Sequence, residues 1–165
     1  MPLQPRQLGT YFALIEAVNL FQHAVEQQLR ADGDLSDIQF QLLMRLIGAN
    51  GQLTMTELAD SVVYSRSGLT YQAGQLEKAG LVTRAPDPRD DRATLVTITD
   101  AGRARIDQVL PGHVDVAQRL LFAQLTDDDV DALGEIMTRI RDHLRAEPPR
   151  SAAPRKSAPR KRNPE

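Results

Sequence analysis

Two short β-like runs in the second half of the chain constrain its fold more than any other feature. The runs cover residues 81–85 ("LVTRA") and 94–98 ("TLVTI"), and the charged segment 86–92 ("PDPRDDR") joins them. β-Branched residues in short runs favour strands, and a charged turn that contains proline favours a solvated tip. The sequence therefore predicts a β-hairpin whose tip spans 86–92.

Helices are predicted on both sides of this hairpin. Capping boxes begin at Ser36 and Thr54, a looser acidic version begins at Thr126, and Thr99 is a further N-cap. Apolar residues recur at helical spacing between these positions, and Pro111 is expected to kink the helix that contains it. The predicted helices span residues 7–31, 37–48, 55–62, 66–79, 100–123 and 127–145.

The predicted fold class is mainly α with a small β-hairpin wing, a winged helix-turn-helix with long terminal helices. Residues 36–99 would form a central lobe, and 1–35 with 100–145 a helical dimerisation region. The apolar stripes at both chain ends are broader than one packing surface needs, which favours a second subunit.

Composition excludes several classes of protein. The chain has 165 residues and no cysteine, so a disulfide framework, an iron–sulfur cluster and a thiol sensor are excluded. His23, His113 and His143 lack metal-ligand spacing, and we expect no metal and no cofactor. Phosphate-loop, dinucleotide, nucleophile-elbow and zinc-protease motifs are absent, so no enzyme is predicted. Neither a membrane span nor a signal peptide is recognisable, and we expect a cytoplasmic protein.

Charge is distributed unevenly along the chain. Residues 1–145 hold 14 basic and 20 acidic side chains, a net of −6, whereas residues 146–165 hold 6 and 2, a net of +4. The second segment is rich in proline, alanine and basic residues, and we predict a disordered basic tail. It is either a solubilising extension or an arm that attracts a polyanion.

Residues 54–80 predict a helix-turn-helix with its turn at 62–65. On the second helix Leu69, Ala73 and Leu76 fall on one side and would pack inward. The outward and flanking positions are mostly polar: Ser67, Thr70, Tyr71, Gly74, Gln75 and Lys78. Such side chains can read base edges, and Arg66 at the helix start suits phosphate. Paired short helices also occur for packing alone, so this motif leaves DNA binding open.

The hairpin strengthens the case for DNA, because a hairpin after the second helix makes a winged helix-turn-helix. The lobe of residues 36–99 is therefore predicted to be a DNA-binding lobe. The narrow minor groove attracts inserted arginine, and Arg89 and Arg92 lie in the predicted tip. Asp90 could hold an arginine through an ion pair. The alternative is a solvated turn with surface ion pairs of little energetic value.

The segment "SRSGLTYQAGQLEKAGLVTRAPDPRDDRATLVTITDAGR" resembles the MarR family of bacterial winged-helix transcriptional regulators, and the resemblance spans about residues 8–145. It implies a homodimer on a roughly palindromic operator, usually a repressor, released by a small phenolic or anionic aromatic ligand. It also implies that Arg92 reaches the minor groove with Asp90 as its orienting partner, and that residues 65–75 supply the major-groove helix.

The candidate site residues form two groups. Those of the recognition helix are Ser65, Arg66, Ser67, Thr70, Tyr71, Gln72, Gln75 and Lys78, and those of the wing are Arg84, Arg89, Asp90 and Arg92. Duplex DNA, a second copy of the chain and a small effector are the expected partners, and the effector pocket is expected between the terminal helices and the lobe. A dimeric protein-interaction module that uses the winged domain as scaffold is the alternative.

Overall fold

The computed structural model describes residues 2–62 and 66–146. It confirms a mainly α-helical fold with a small antiparallel sheet. In chain order the elements are α1 (Pro5–Gly33), α2 (Asp37–Gly48), β1 (Gln52–Thr54), α3 (Met55–Ser61), α4 (Arg66–Lys78), β2 (Val82–Asp87), β3 (Asp90–Ile98), α5 (Asp100–Leu120), a 3-10 turn (Phe122–Gln124) and α6 (Asp127–Arg145).

The sheet has the strand order β1-β3-β2, with both pairings antiparallel. The predicted hairpin is confirmed, but its tip is shorter than the predicted 86–92. Asp87 pairs with Asp90 across a register shift, which leaves only Pro88 and Arg89 between the strands. Strand β1 was not predicted, because three residues before a helix carry no alternating pattern of their own.

Local signals start the helices as expected. Ser36, Thr54 and Thr126 each accept a hydrogen bond from the backbone N–H three residues later, and each closes a full capping box. The box at Thr126 is therefore complete rather than loose. Helix α5 remains helical through Pro111 but ends at Leu120, after which the 3-10 turn follows.

The apolar core lies where the lobe packs against the C-terminal part of α1, at Val25 and Leu29, and against α5, at Ile106 and Val109. Its fully buried side chains are Leu29, Leu35, Leu42, Leu43, Leu46, Leu58, Leu69, Leu76, Val82, Val96 and Val109. Gly102 allows α5 to begin close to the sheet, since a Cβ there would clash with the Leu81 carbonyl. The core thereby fixes α4 and the hairpin on one rigid support.

The far ends of the terminal helices lie outside this core. Helix α6 contains no buried residue, and in α1 the buried residues are Val25, Leu29 and Gly33. Across the described ranges 2–62 and 66–146, no helix is long and apolar enough to span a bilayer.

Candidate nucleic-acid interface

Helix α4 has one buried and one exposed side, as the sequence predicts. Leu69, Ala73 and Leu76 are at most 2% exposed and anchor the helix on the core. The side chains of Ser67, Thr70, Tyr71 and Lys78 are exposed, whereas Gly74, Gln72 and Gln75 are half-buried. Ser65 and the Arg66 side chain lie outside the described part of the chain. The helix thus presents hydroxyl, phenol and amide groups that can hydrogen-bond base edges.

Helix α3 braces α4 from behind. Leu58 is 1% exposed, and the N-terminus of α3 is held by reciprocal bonds between Thr54 and Glu57. The Thr54 N–H donates to Glu57 Oε2 at 2.8 Å, and the Glu57 N–H donates to Thr54 Oγ1 at 3.2 Å. The bond from the Thr54 backbone is the main reason why the pKa of Glu57 is lowered from its usual value. This cap fixes where the helix pair begins.

An ion pair joins the end of α4 to the hairpin. The Arg84 guanidinium donates to Glu77 Oε2 from Nε at 2.9 Å and from Nη2 at 2.6 Å. The side-chain bonds from Arg84 lower the pKa of Glu77. Between the two residues Gly80 adopts a left-handed conformation with φ +73°, which suits glycine at a helix end. Arg84, a predicted DNA contact, therefore has its guanidinium engaged within the chain.

Arg89 in the tip and Arg92 in β3 have different surroundings. The Arg89 side chain contacts the carboxylate of Asp87, with Nε–Oδ1 and Nη2–Oδ2 distances of 3.3 Å. Asp90 accepts a hydrogen bond from the Arg92 backbone N–H at 3.0 Å, and no ion pair between their side chains appears among the described residues. Asp90 thus contacts the main chain of Arg92 and leaves its guanidinium exposed.

A cavity of about 350 Å³ lies beside α4, bounded by α1, α2 and α5. Apolar side chains line it together with polar and charged ones: Arg30, Asp34, Gln39, Tyr71, Gln72, Gln75 and Arg105. Three of these residues, Tyr71, Gln72 and Gln75, are also candidate DNA-reading residues. A molecule in this cavity would contact the recognition helix directly.

A second cavity of similar volume lies between α2 and α5. Phe40, Met44 and Leu110 line it together with His113, whose ring lies 4.5 Å from that of Phe40. Burial lowers the pKa of His113, and Asp37 opposes the shift. Within residues 2–62 and 66–146, no three acidic, histidine or cysteine side chains cluster as metal ligands would.

Comparison with known proteins identifies the fold. Residues 33–93 match the family model described as MarR family. Sco3205 of Streptomyces coelicolor, a MarR family transcriptional regulator solved in complex with DNA, is 32% identical. The alignment covers 90% of this chain and 92% of Sco3205, with a TM-score of 0.84. This chain belongs to the MarR family.

Further MarR-type proteins agree with this assignment. AbsC of Streptomyces coelicolor, another MarR family regulator, is 26% identical over 89% of this chain and 99% of its own, with a TM-score of 0.82. The transcriptional repressor YetL of Bacillus subtilis is 28% identical over 81% of each chain. The predictions of family, winged fold and non-enzymatic role are confirmed, and the chain is a DNA-binding transcriptional regulator.

Three features of the site were not predicted. Glu77 and Arg84 meet only because a left-handed turn folds the strand back along α4, and their spacing of seven residues carries no local signal. Asp87 was assigned to the solvated tip, yet it is 4% exposed. The cavity beside α4 lies between the terminal helices and the lobe, where a pocket was expected, but the residues that line it, such as Arg30 and Arg105, were not predicted.

Proposed function

We propose that this MarR family protein is a homodimeric repressor that binds a roughly palindromic operator and is released by a small aromatic anion. The observation that carries the proposal is the long apolar surface that one chain leaves in water at the outer parts of α1 and α6. The exposed residues include Leu8, Tyr11, Phe12, Ile15, Val18, Ile136, Met137, Ile140 and Leu144.

A second copy of the chain is the partner that suits this surface. Helix α6 has 19 residues and none of them is buried, although isolated helices of this length are marginal in water. Patches of this kind on soluble proteins mark association sites. Both chain ends carry apolar residues, so two copies related by a twofold axis can bury them against each other. We expect the protein to act in the cytoplasm as this dimer.

Such a dimer would carry two copies of α4 and two wings. Each α4 would enter the major groove through Ser67, Thr70, Tyr71 and the amide side chains, while Arg66 and Lys78 contact phosphates. The exposed guanidinium of Arg92 would enter the adjacent minor groove, where negative potential is concentrated. Twofold symmetry of the protein requires a palindromic site.

The cavity beside α4 supports release by a ligand. Its lining includes Leu35, Leu76 and Leu81, each at most 3% exposed, and the charged residues Arg30, Arg105 and Asp34. Apolar side chains beside two arginines against one aspartate suit a flat molecule with a carboxylate or phenolate. Such an occupant would compete with bases for Gln72 and Gln75, and so would lower the population of the DNA-binding form.

Selection of bound duplexes from a random pool tests DNA recognition. We expect a palindromic consensus, and affinity for it that falls steeply between two salt concentrations because several phosphates are neutralised. Equal affinity for selected and scrambled duplexes, measured by fluorescence anisotropy, would contradict the proposal.

The effector proposal is tested with a panel of aromatic acids. Addition of a ligand should raise the melting temperature of the free protein and weaken operator binding, and Arg105→Ala should reduce both effects. Arg141→Ala, a change at an exposed arginine of α6, is the matched control. Ligand-induced release that is unchanged in Arg105→Ala would remove this cavity from the account.

The basic segment 146–165 lies outside the described residues except for Ala146, and its role stays a prediction. We propose that its net charge of +4 adds sequence-independent attraction to DNA. Truncation after residue 145 should weaken binding to random duplexes more than it changes the ratio of operator to random affinity. A large loss of sequence discrimination on truncation would refute this role.

A further inference from the structure

The wing tip contains a buried carboxylate that DNA recognition does not use. Asp87 ends β2, and its side chain is only 5% exposed, whereas the Arg89 side chain above it is 81% exposed. The Asp87 carboxylate accepts the Arg89 backbone N–H at 2.9 Å and two guanidinium bonds at 3.3 Å. The same carboxylate thus fixes both the main chain and the side chain of Arg89.

A carboxylate shielded from water needs a hydrogen-bonding or cationic partner, here Arg89, to stabilise its charge. If Arg89 turned away to contact DNA, Asp87 would lose both guanidinium contacts, and its charge would repel that of Glu57 without a cation to compensate it. Glu57, at the start of α3, adds a second negative charge that interacts with Arg89. Arg89 is therefore held towards the protein, although its side chain is exposed.

Arg92 differs on each of these points. Its backbone N–H donates to Asp90 Oδ1 at 3.0 Å, and among the described residues its guanidinium forms no ion pair. Its side chain is exposed, so it can turn towards DNA without leaving a buried charge behind.

We propose that Arg89 is a positioning residue that locks the wing tip onto Asp87, and that it does not itself contact DNA. The inference rests on the proposed function, and it changes the role predicted for Arg89. Only Pro88 and Arg89 separate the two strands, so the pair formed by Asp87 and Arg89 sets the path of the chain into Asp90 and Arg92. Asp87 and Arg89 would act on DNA affinity through Arg92.

The test uses the full chain and the selected operator, with Asp87→Asn, Arg89→Ala, Arg92→Ala and their pairwise combinations. Arg89→Ala and Asp87→Asn should each weaken operator binding by about tenfold, and their combination should be no worse than either alone, as for residues that act as one unit. In the Arg92→Ala background, Arg89→Ala should change neither the affinity nor the salt dependence.

Two results would overturn the proposal. A further loss of affinity and a shallower salt dependence when Arg89→Ala is added to Arg92→Ala would mean that Arg89 contacts phosphate directly. Unchanged affinity in both Arg89→Ala and Asp87→Asn would mean that the pair has no effect on recognition. Circular dichroism and melting temperature identify any variant that fails to fold. If Asp87→Asn fails to fold, the operator affinity of Arg89→Ala, a change at an exposed side chain, tests the proposal.

A measurement without DNA separates this inference from the proposed function. Hydrogen exchange of the Arg89 amide should be slowed in the wild type and faster in Asp87→Asn, whereas exchange in the core of α2 should be equal in both. Fast exchange of the Arg89 amide in the wild type would contradict the positioning role of Arg89 and leave the proposed function standing. If exchange of the Arg89 amide is slow but the wild type does not bind an operator, the proposed function is contradicted and the contact between Asp87 and Arg89 is not.

Discussion

The winged lobe, residues 36–99, differs from the outer parts of α1 and α6 in the burial of its apolar side chains: the lobe buries them, and the helix ends expose them. In the lobe Leu42, Leu43 and Leu46 are completely buried within one chain. At the chain ends Leu20 and Leu144 are 66% and 68% exposed, although both lie on helices. The core of the lobe is therefore completed within one chain by residues of α1 and α5, whereas the outer parts of the terminal helices carry apolar residues that one chain does not cover.

The same comparison explains how the site is built. Groups proposed to touch DNA lie on the lobe, where the core shared with α1 and α5 holds α4 and the hairpin in fixed positions. The apolar ends would determine how far apart two such lobes sit. Recognition by each lobe and spacing between lobes are thus assigned to different regions of one chain.

The largest effect is expected from a cavity in the lobe. Leu46→Ala removes a fully buried side chain and should lower the free energy of unfolding by about 2–5 kcal/mol. Leu144→Ala, the same change at a 68% exposed position, should leave the melting temperature of the lobe nearly unchanged. Thermal denaturation of both variants measures the contrast, and equal losses would erase the distinction between the two regions.

The next effect concerns assembly. Phe12→Asp places a carboxylate in the apolar surface of α1 and should weaken self-association by about a hundredfold, because the charge would be buried without a partner. Tyr71→Asp is the matched control, since Phe12 and Tyr71 are 59% and 61% exposed on different helices. Sedimentation velocity should detect a smaller species for Phe12→Asp only. An unchanged sedimentation profile for Phe12→Asp would remove α1 from the interface.

A smaller effect is expected from the helix caps. Thr54 and Thr126 make the same capping contacts, to backbone N–H groups at 3.2 and 3.3 Å. Replacement of either by alanine should cost about 1 kcal/mol of helix stability. Thr54→Ala should lower the melting temperature at every protein concentration, and Thr126→Ala should lower it most in dilute samples, where the proposed dimer dissociates. Identical concentration dependence would argue against pairing through α6.

The sequence predicts the helices of the protein better than it predicts the contacts between distant elements. Capping residues and helical spacing predict most helices to within two or three residues, because these signals are local. The buried side of α4 was predicted for the same reason, and Leu69, Ala73 and Leu76 are buried as expected. Contacts that depend on the hairpin's path over the lobe, such as Arg84 with Glu77, carry no signal in one sequence.

Strand β1 and the short tip show a second limit. β1 exists because Gln52, Leu53 and Thr54 pair with β3, more than forty residues later. The tip is short because Asp87 and Asp90 pair, although charged residues beside a proline are typical of loops. Tertiary pairing overrides local propensity in both places.

The smallest effect is expected in acid. The pKa of Glu77 is below its usual 4.5 in the folded protein, so the folded state binds fewer protons than the unfolded state around that pH. Stability contributed by this group is therefore present above pH 4.5 and is lost as the pH falls through the lower, folded pKa. Because the pair is partly exposed, the contribution is small.

Melting temperature measured against pH checks this expectation. Glu77→Gln removes the titrating group and should show a shallower decline below pH 4.5 than the wild type. Glu135→Gln, at an exposed position of α6, should follow the wild-type curve. Parallel curves for wild type and Glu77→Gln would mean that the ion pair with Arg84 contributes nothing.

The most direct test of the account is the mass of the protein–DNA complex. Light scattering coupled to size exclusion, with a duplex that carries the full selected site, should give two chains per duplex. A duplex with half of the site should bind far more weakly. One chain per duplex, with equal affinity for the full and half sites, would contradict the claim that the exposed helices pair two lobes on DNA.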